Sequence, residues 1–386
     1  MQRWFFSKQP RSRSLQVISL LAIALLVSVS GCRQGSRTAD QLAEDSDAAE
    51  DIQSNLVFNN VTLEQADPEG QPIWEVEAEQ VIYSQDRQRA EMTQPNGEFF
   101  QDGEAIFNVK AETGEVEQDG ERIVLTGNVV VTDLDSGAVI QSDRMEWIPE
   151  EGFVLFQGNV TGTHPKMRFM ADEGKIYNTE RRVEVSGNVR ATSRDPNLQL
   201  EAETLSWWLD EGRVVSDRPV RIGRLAGNKV TDAAAGGSAE LDLNAQVVTL
   251  RQNAQLDLQN PPMLISSNEL IWNLEQQLLV SEQPITINNR NQRVVMTASQ
   301  GRINLAQETA YLVGNVQAVA QSRQSRLNSD RLTWYLNREE FLAEGNVDYR
   351  QNQPEMRVQG PRAEGKLENE TIVVSGGRVT TEIVPE

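Results

Sequence analysis

The chain has 386 residues, with 57 Asp and Glu against 36 Lys and Arg, a formal net charge of −21, one histidine and one cysteine. Acid spread through the body argues against nucleic acid as a partner and against polybasic attachment to anionic headgroups. One cysteine forbids an internal disulfide, and with His164 alone beside it no metal cluster, Ser/His/Asp set or phosphate-cradling loop can be assembled, so a non-enzymatic protein without cofactor or metal is expected.

At the N-terminus Arg3, Lys8, Arg11 and Arg13 precede an apolar run from Leu15 to Val29, with no acidic residue before Asp40. About fifteen apolar residues after a basic segment fit a secretory signal better than a membrane span of roughly twenty. The run ends at Val29-Ser30-Gly31-Cys32, which resembles a bacterial lipobox. Residues 1–31 are therefore expected to be a signal peptide with Cys32 lipidated, or an uncleaved signal anchor; both tether the body to a membrane outside the cytoplasm. Residues 32–54, rich in Ala, Asp, Glu, Ser and Gln, read as a flexible linker.

From about residue 55 onward one phrase recurs, as Gly127-Asn128-Val129, Gly158-Asn159-Val160, Gly187-Asn188-Val189, Gly314-Asn315-Val316 and Gly345-Asn346-Val347. Degenerate copies stand at Arg218-Pro219-Val220, Gln283-Pro284-Ile285 and Gly377-Arg378-Val379, and the last residues are spaced 31, 29, 31, 65, 31, 31 and 32 apart, the longest gap spanning a poorer copy near Gln255. A period held so tightly means one supersecondary unit stacked many times. Each unit carries two β-branched and aromatic stretches about a polar turn, such as Pro149-Glu150-Glu151-Gly152, which predicts a hairpin. Gly-Asn, able to take positive φ, suits a bulge or a corner. About ten such hairpins, or roughly twenty strands, are expected. They predict an all-β fold, an elongated open antiparallel β-jelly roll. The stretch from Leu225 to Gly237 interrupts the pattern and is read as a loop insertion. A join between residues 55–225 and 226–386 is read there, with one continuous sheet as the other reading.

The first strands of eight units, among them Ala78–Tyr83, Ser142–Trp147, Ala202–Trp207, Ser267–Trp272 and Ser329–Trp334, place a small residue five positions before a large apolar one. Odd spacing in a strand predicts opposite faces, while Met145/Trp147, Leu205/Trp207, Leu270/Trp272 and Leu332/Trp334 share one. That face is taken as the inner one. Taken singly, each Trp reads as ordinary core packing. The paired carboxylates Glu201 and Glu203 read as coincidence in an acidic protein, and His164 as a turn residue.

Pro72-Ile73-Trp74-Glu75-Val76-Glu77-Ala78, the repeated Ala-Asp and Ser-Asp strands, and Leu125-Thr126-Gly127-Asn128-Val129 together resemble the LptC family of lipopolysaccharide export, whose repeats are shared with the LptA/OstA family. The similarity runs roughly from Val57 to Ile383, on a body about twice the usual length and with a lipobox where a transmembrane helix is usual. The resemblance implies a periplasmic, inner-membrane-tethered lipid carrier. Its apolar interior would shield lipid A acyl chains, with Tyr83, Met145, Trp147, Leu205, Trp207, Leu270, Trp272, Leu332 and Trp334 as candidate groove residues beside Val129, Val160, Val189, Val316 and Val347. Implied partners are lipopolysaccharide, an inner-membrane ABC transporter permease and ATPase complex, and an LptA/OstA-like bridge or outer-membrane receiver. Two facing sheets sharing twenty strands would give a trough on the order of 48 Å long. The competing expectation is a structural or adhesive envelope repeat protein with a filled core.

Overall fold

The computed structural model describes residues 56–383 apart from 102, 118–119, 149–150, 228, 322–323, 353–354 and 367–370. The expected signal segment, Cys32 and the linker lie outside the described residues. All 28 strands belong to one antiparallel sheet. The chain opens with β1 (Leu56–Ala66) and β2 (Pro72–Tyr83), followed by the short pieces β3 (Arg89–Thr93), β4 (Asn96–Gln101), β5 (Glu104–Lys110) and β6 (Thr113–Glu117). Six long strands follow, β7 (Arg122–Asp133), β8 (Val139–Ile148), β9 (Phe153–Thr163), β10 (Met167–Tyr177), β11 (Arg182–Arg194) and β12 (Asn197–Trp208). Then come β13 (Arg213–Ser216), β14 (Val220–Ala226), β15 (Lys229–Gly236) and β16 (Ser238–Asp242), and the long β17 (Val247–Gln259) and β18 (Pro262–Asn273). The body closes with β19 (Leu278–Ser281), β20 (Ile285–Asn289), β21 (Val294–Ala298), β22 (Gln300–Asn304), β23 (Thr309–Ala320), β24 (Ser325–Tyr335), β25 (Glu340–Asn352), β26 (Glu355–Lys366), β27 (Thr371–Ser375) and β28 (Thr380–Ile383).

The short strands come in pairs that do the work of one long strand. β12, for example, pairs with β13 along one half and β14 along the other, and β17 pairs with β16 and β15 in the same way. Seven such split pairs and fourteen unbroken strands make 21 stacked tiers, in place of the roughly twenty strands expected. Every tier crosses the whole sheet, bends midway and returns through a hairpin at alternate rims. The first rim holds turns such as 134–138, 164–166 and 195–196, and the second holds 178–181, 209–212 and 243–246. The sheet is thus folded lengthwise into two walls meeting at an apex. Because each strand contributes to both walls, the stack is about 100 Å long at ~4.8 Å per tier, roughly twice the expected trough.

The apex is where the Gly-Asn phrase sits. Gly158 and Asn159 have φ of 76° and 48°, Gly187 and Asn188 have 76° and 49°, and Gly345 and Asn346 have 77° and 47°. Both residues are left-handed, which Gly adopts freely and Asn more readily than other side chains. They form a bulge against both neighbouring strands, with register shifts between Gln141 and Arg144 on one side and between Ala171 and Glu173 on the other. The Asn side chain then reaches back 16 residues: Asn159 Nδ2 donates to Asp143 Oδ2 at 2.7 Å, Asn188 to Asp172 at 2.7 Å and Asn346 to Asp330 at 2.9 Å. A Cβ on Gly158 would stand 2.5 Å from that Asp143 oxygen, so the glycine is required by space as well as by φ. The degenerate copy keeps the conformation without the letters, with Gln252 and Asn253 at φ 63° and 60°. There the glycine has moved to the facing strand, where Gly237 N–H donates to the carbonyls of Arg251 and Gln252 at 2.9 Å each.

Two expectations fail here. Ser142 and Ser329 are buried on the inner side, as are Ala78 and Ala171, and the residues five positions on share that side, Trp334 buried and Tyr83, Trp147 and Ile176 half-buried against the core. Alternation slips by one as the strand turns the apex, so odd spacing across the corner returns both residues to one side. Small side chains fit because the walls converge there, and the Ser142 and Ser329 hydroxyls each donate to the carbonyl two residues ahead at 2.9 Å. The supposed insertion from Leu225 to Gly237 is regular structure: β14 and β15 form a hairpin that pairs with β12 and β17. Residues 225 and 226 lie inside β14, where the pairing with β15 shifts register between Arg224 and Leu225.

Candidate functional site

The fold encloses a continuous apolar interior, from Trp74 in β2 to Ala363 in β26. Just inside the apex stand Val129, Val160, Val189, Val316 and Val347, each almost wholly buried and each facing a small residue or glycine across the ladder, as in Val160 with Ala171 and Val316 with Ser329. Further out on the wall toward the second rim come Met145, Leu205, Leu270 and Leu332, then Trp207, Trp272 and Trp334, all buried. Trp334 lies opposite Ala310, and Trp272 opposite Val248 and Leu279, so each large ring meets a smaller neighbour. Tyr83 and Trp147 occupy equivalent places but are only half-buried. The structure thus brings all fourteen candidate residues onto one inner surface, along the apex and one wall.

The opposite wall escaped the sequence reading. It is built from residues that precede the apex small residue at even spacing: Leu198 and Leu200 before Ala202, Met263 and Ile265 before Ser267, and Phe169 before Ala171. Also missed is a leucine ladder at the second rim, Leu209, Leu243, Leu274, Leu305 and Leu336, lying two positions beyond the large residue of the wall or its equivalent. Leu274, Leu305 and Leu336 bond through their N–H groups to the carbonyls of Gln246, Gln277 and Glu308 at 2.8–2.9 Å, prolonging the sheet to the lip. Alternation continued past the Trp was the signal for the ladder, and alternation counted back from the small residue the signal for the wall.

Among the described residues no strand pairing joins the two rims; side chains close the mouth. Phe99 stacks on Trp147 with centroids 4.3 Å apart, and the His164 ring stands edge-on to Trp207 at 4.9 Å. Gln246 Nε2 donates to Asp195 Oδ1 at 2.7 Å, Arg181 reaches Asp135 at 3.4 Å, and Asn178 bonds to Gln101. Beneath His164 a cavity of about 50 Å³ is lined by Phe107, Ile140, Phe169, Val183 and Trp207. Burial pushes the His164 pKa down and Lys166 adds to the effect, so the ring is neutral at neutral pH, with Nδ1 accepting the Lys166 N–H at 3.1 Å. Ion pairs confined to such exposed lips are weak.

The buried tryptophans differ in one respect. Trp74 Nε1 donates to Gln65 Oε1 at 2.6 Å, whereas the buried indole nitrogens of Trp207, Trp272 and Trp334 have no acceptor within hydrogen-bond reach.

Among the described residues the stack ends in strands paired on one side: β1 pairs only with β2 and exposes Leu56, Val57 and Phe58, and at the other end β27 and β28 pair only with β26 and Val373 is exposed. The outer faces carry cross-strand ion pairs such as Arg122–Glu146 at 2.8 Å and Arg357–Asp348 at 3.0 Å. No group of three or more His, Cys, Asp or Glu suited to a metal ion occurs among the described residues, and no helix there is long and apolar enough to cross a membrane.

Among solved structures the chain is similar to the crystal structure of LptH, the LptA homologous periplasmic component of the conserved lipopolysaccharide transport device from Pseudomonas aeruginosa. The identity is 15% and the TM-score 0.27, over 29% of this chain and 79% of that one. No curated protein matches it in sequence. The sequence profile described as "Lipopolysaccharide-assembly, LptC-related" matches three times, over residues 19–166, 152–235 and 233–319. Those three matches follow one another along most of the repeat array, and the chain belongs to the LptC-related lipopolysaccharide-assembly family.

Proposed function

We propose that this chain is a non-enzymatic carrier that holds the acyl chains of lipopolysaccharide between its two walls and passes the lipid across the periplasm, from an inner-membrane ABC transporter toward the outer membrane. The observation that carries the reading is the unbroken apolar interior bounded by a mouth that only side chains close. Each CH₂ withdrawn from water is worth about 0.8 kcal/mol, so a lipid crossing an aqueous gap needs a dry path along its whole course. Parting the rims breaks the Phe99–Trp147 and His164–Trp207 contacts and a few exposed polar ones, and no sheet hydrogen bonds.

In this reading Tyr83, Met145, Trp147, Leu205, Trp207, Leu270, Trp272, Leu332, Trp334 and the apex valines line the lipid path. The body is tethered to the inner membrane through a lipidated Cys32 or an uncleaved N-terminal helix. The β1 edge docks on the transporter and the β27–β28 edge on an LptA/OstA-like bridge or outer-membrane receiver, each by strand addition. Energy comes from the partner ATPase.

Photoreactive residues at 147, 207, 272 and 334 test the path. They are expected to crosslink lipopolysaccharide in cells in an ATP-dependent manner, while the exposed positions Glu91 and Arg302 stay unlabelled. Equal labelling of both sets defeats the proposal. A second reading, a structural repeat protein without ligand, is favoured by the tight filling of the interior, where Leu270 and Trp272 are 0% exposed. Absence of label at all four inner positions selects it.

A further inference from the structure

The tryptophans of the second-rim wall recur at a fixed interval. Trp147, Trp207, Trp272 and Trp334 stand in β8, β12, β18 and β24, which are every fourth tier of the stack, or about 19 Å apart. Intervening tiers place Ile176, Leu241 and Ile303 at the same point of the wall. In the last three tryptophans the indole N–H is buried with no acceptor, at 4%, 0% and 2% exposure for Trp207, Trp272 and Trp334. Leucine, isoleucine or phenylalanine would fill that apolar space without stranding a donor, and a stranded donor is disfavoured in a folded interior. Trp74 makes the contrast: it is equally buried, but its N–H reaches Gln65.

We infer that the indole N–H groups of Trp207, Trp272 and Trp334 donate hydrogen bonds to the carbonyl oxygens of acyl linkages, so that the interior selects ester- or amide-linked acyl lipid over plain alkyl chains. The inference rests on the interior being a lipid path. A hydrocarbon tail gives these donors nothing; an acyl carbonyl or a hydroxyl on the chain satisfies them inside a medium with no other acceptor. Recurrence at a fixed interval gives successive stations along the path the same preference.

The test uses the full chain in maltoside micelles with two lipids that differ only in the carbonyls, dipalmitoyl phosphatidic acid and its di-O-hexadecyl ether analogue. The wild type is expected to bind the diester about tenfold more tightly than the diether, the worth of one or two hydrogen bonds. Replacing positions 207, 272 and 334 by benzothienylalanine, which has sulfur in place of the N–H and the same shape, is expected to abolish the preference, so that diester and diether bind alike. Trp207→Phe, Trp272→Phe and Trp334→Phe together provide an independent variant, with circular dichroism to establish that each folds. In the wild type, indole proton resonances assigned to these residues are expected to move downfield with the diester alone. Equal affinity of the wild type for both lipids, or a preference that survives the isostere, overturns the donor assignment and leaves the carrier reading standing. Binding of neither lipid overturns both.

Discussion

The apex and the wall of this molecule are built by different rules. At the apex, Gly158 and Asn159 are fixed by left-handed φ and by a hydrogen bond to Asp143, so residue identity matters and the same letters return at alternate tiers, in β7, β9, β11, β23 and β25. On the wall, the equivalent point holds Trp272 in one tier and Ile303 two tiers on, and what matters is apolar bulk. A backbone bend admits few solutions, whereas an interior layer admits any set of side chains that fills it. The apex therefore sets geometry, and the wall is left free to vary toward its contents.

Loss of bulk on the wall is expected to have the largest effect. Trp272→Ala removes a side chain with no exposed surface and should cost about 3–5 kcal/mol in urea unfolding, against less than about 1 kcal/mol for the same change at the outer-face Trp208. Next comes the bend. Gly158→Ala forces a Cβ into left-handed backbone 2.5 Å from Asp143 Oδ2, and about 1–3 kcal/mol of destabilisation is expected by thermal unfolding. A loss there exceeding that of Trp272→Ala would reverse the ranking of apex and wall.

Removing the corner bond alone is smaller. Asp143→Ala should cost about 0.5–1.5 kcal/mol. A double-mutant cycle with Asn159→Ala should return a coupling of that size, and additive losses would mean that the Asn is retained for its φ and not for the bond. The smallest effect lies outside both regions. Arg357, assisted by Arg350, holds the Asp348 pKa down to about 2 from an ordinary 3.8. A depressed carboxylate pKa contributes stability that is complete above the unfolded value and is lost as pH falls through the folded one. Asp348→Asn should thus lower stability by about 1 kcal/mol or less near neutrality and flatten its fall between about pH 4 and pH 2, as read by urea midpoints across that range.

The stacked hairpins, the inner face of the Trp strands and the family were legible in the sequence, because a bend that tolerates few residues repeats its letters. The phase slip at the corner was not. Counting alternation from Ser142 to Trp147 assumes one flat strand, and only the register shift at Asp143 shows that the walls face each other. The tiers around Gly236 and Gly237 were also hidden, because there the small residue crosses to the neighbouring strand and the phrase at Gln252 loses its glycine. That gap concealed the alternation of aromatic and aliphatic tiers, since Leu241 falls within the 65-residue spacing between Val220 and Ile285.

A consequence of strands that run from rim to rim is mechanical. Each tier is hydrogen-bonded only to the tiers before and after it, and the first and last described tiers stand at opposite ends of the stack. Tension applied through the ends of the body loads one outermost strand at a time, so its ladder peels in sequence and does not shear at once. The body should therefore lengthen under pull in small steps at low force, shedding tiers from either end while the middle keeps both walls. Held at both ends, it would yield to changes in the distance between its anchors by losing a terminal tier and regain it when the strain is released.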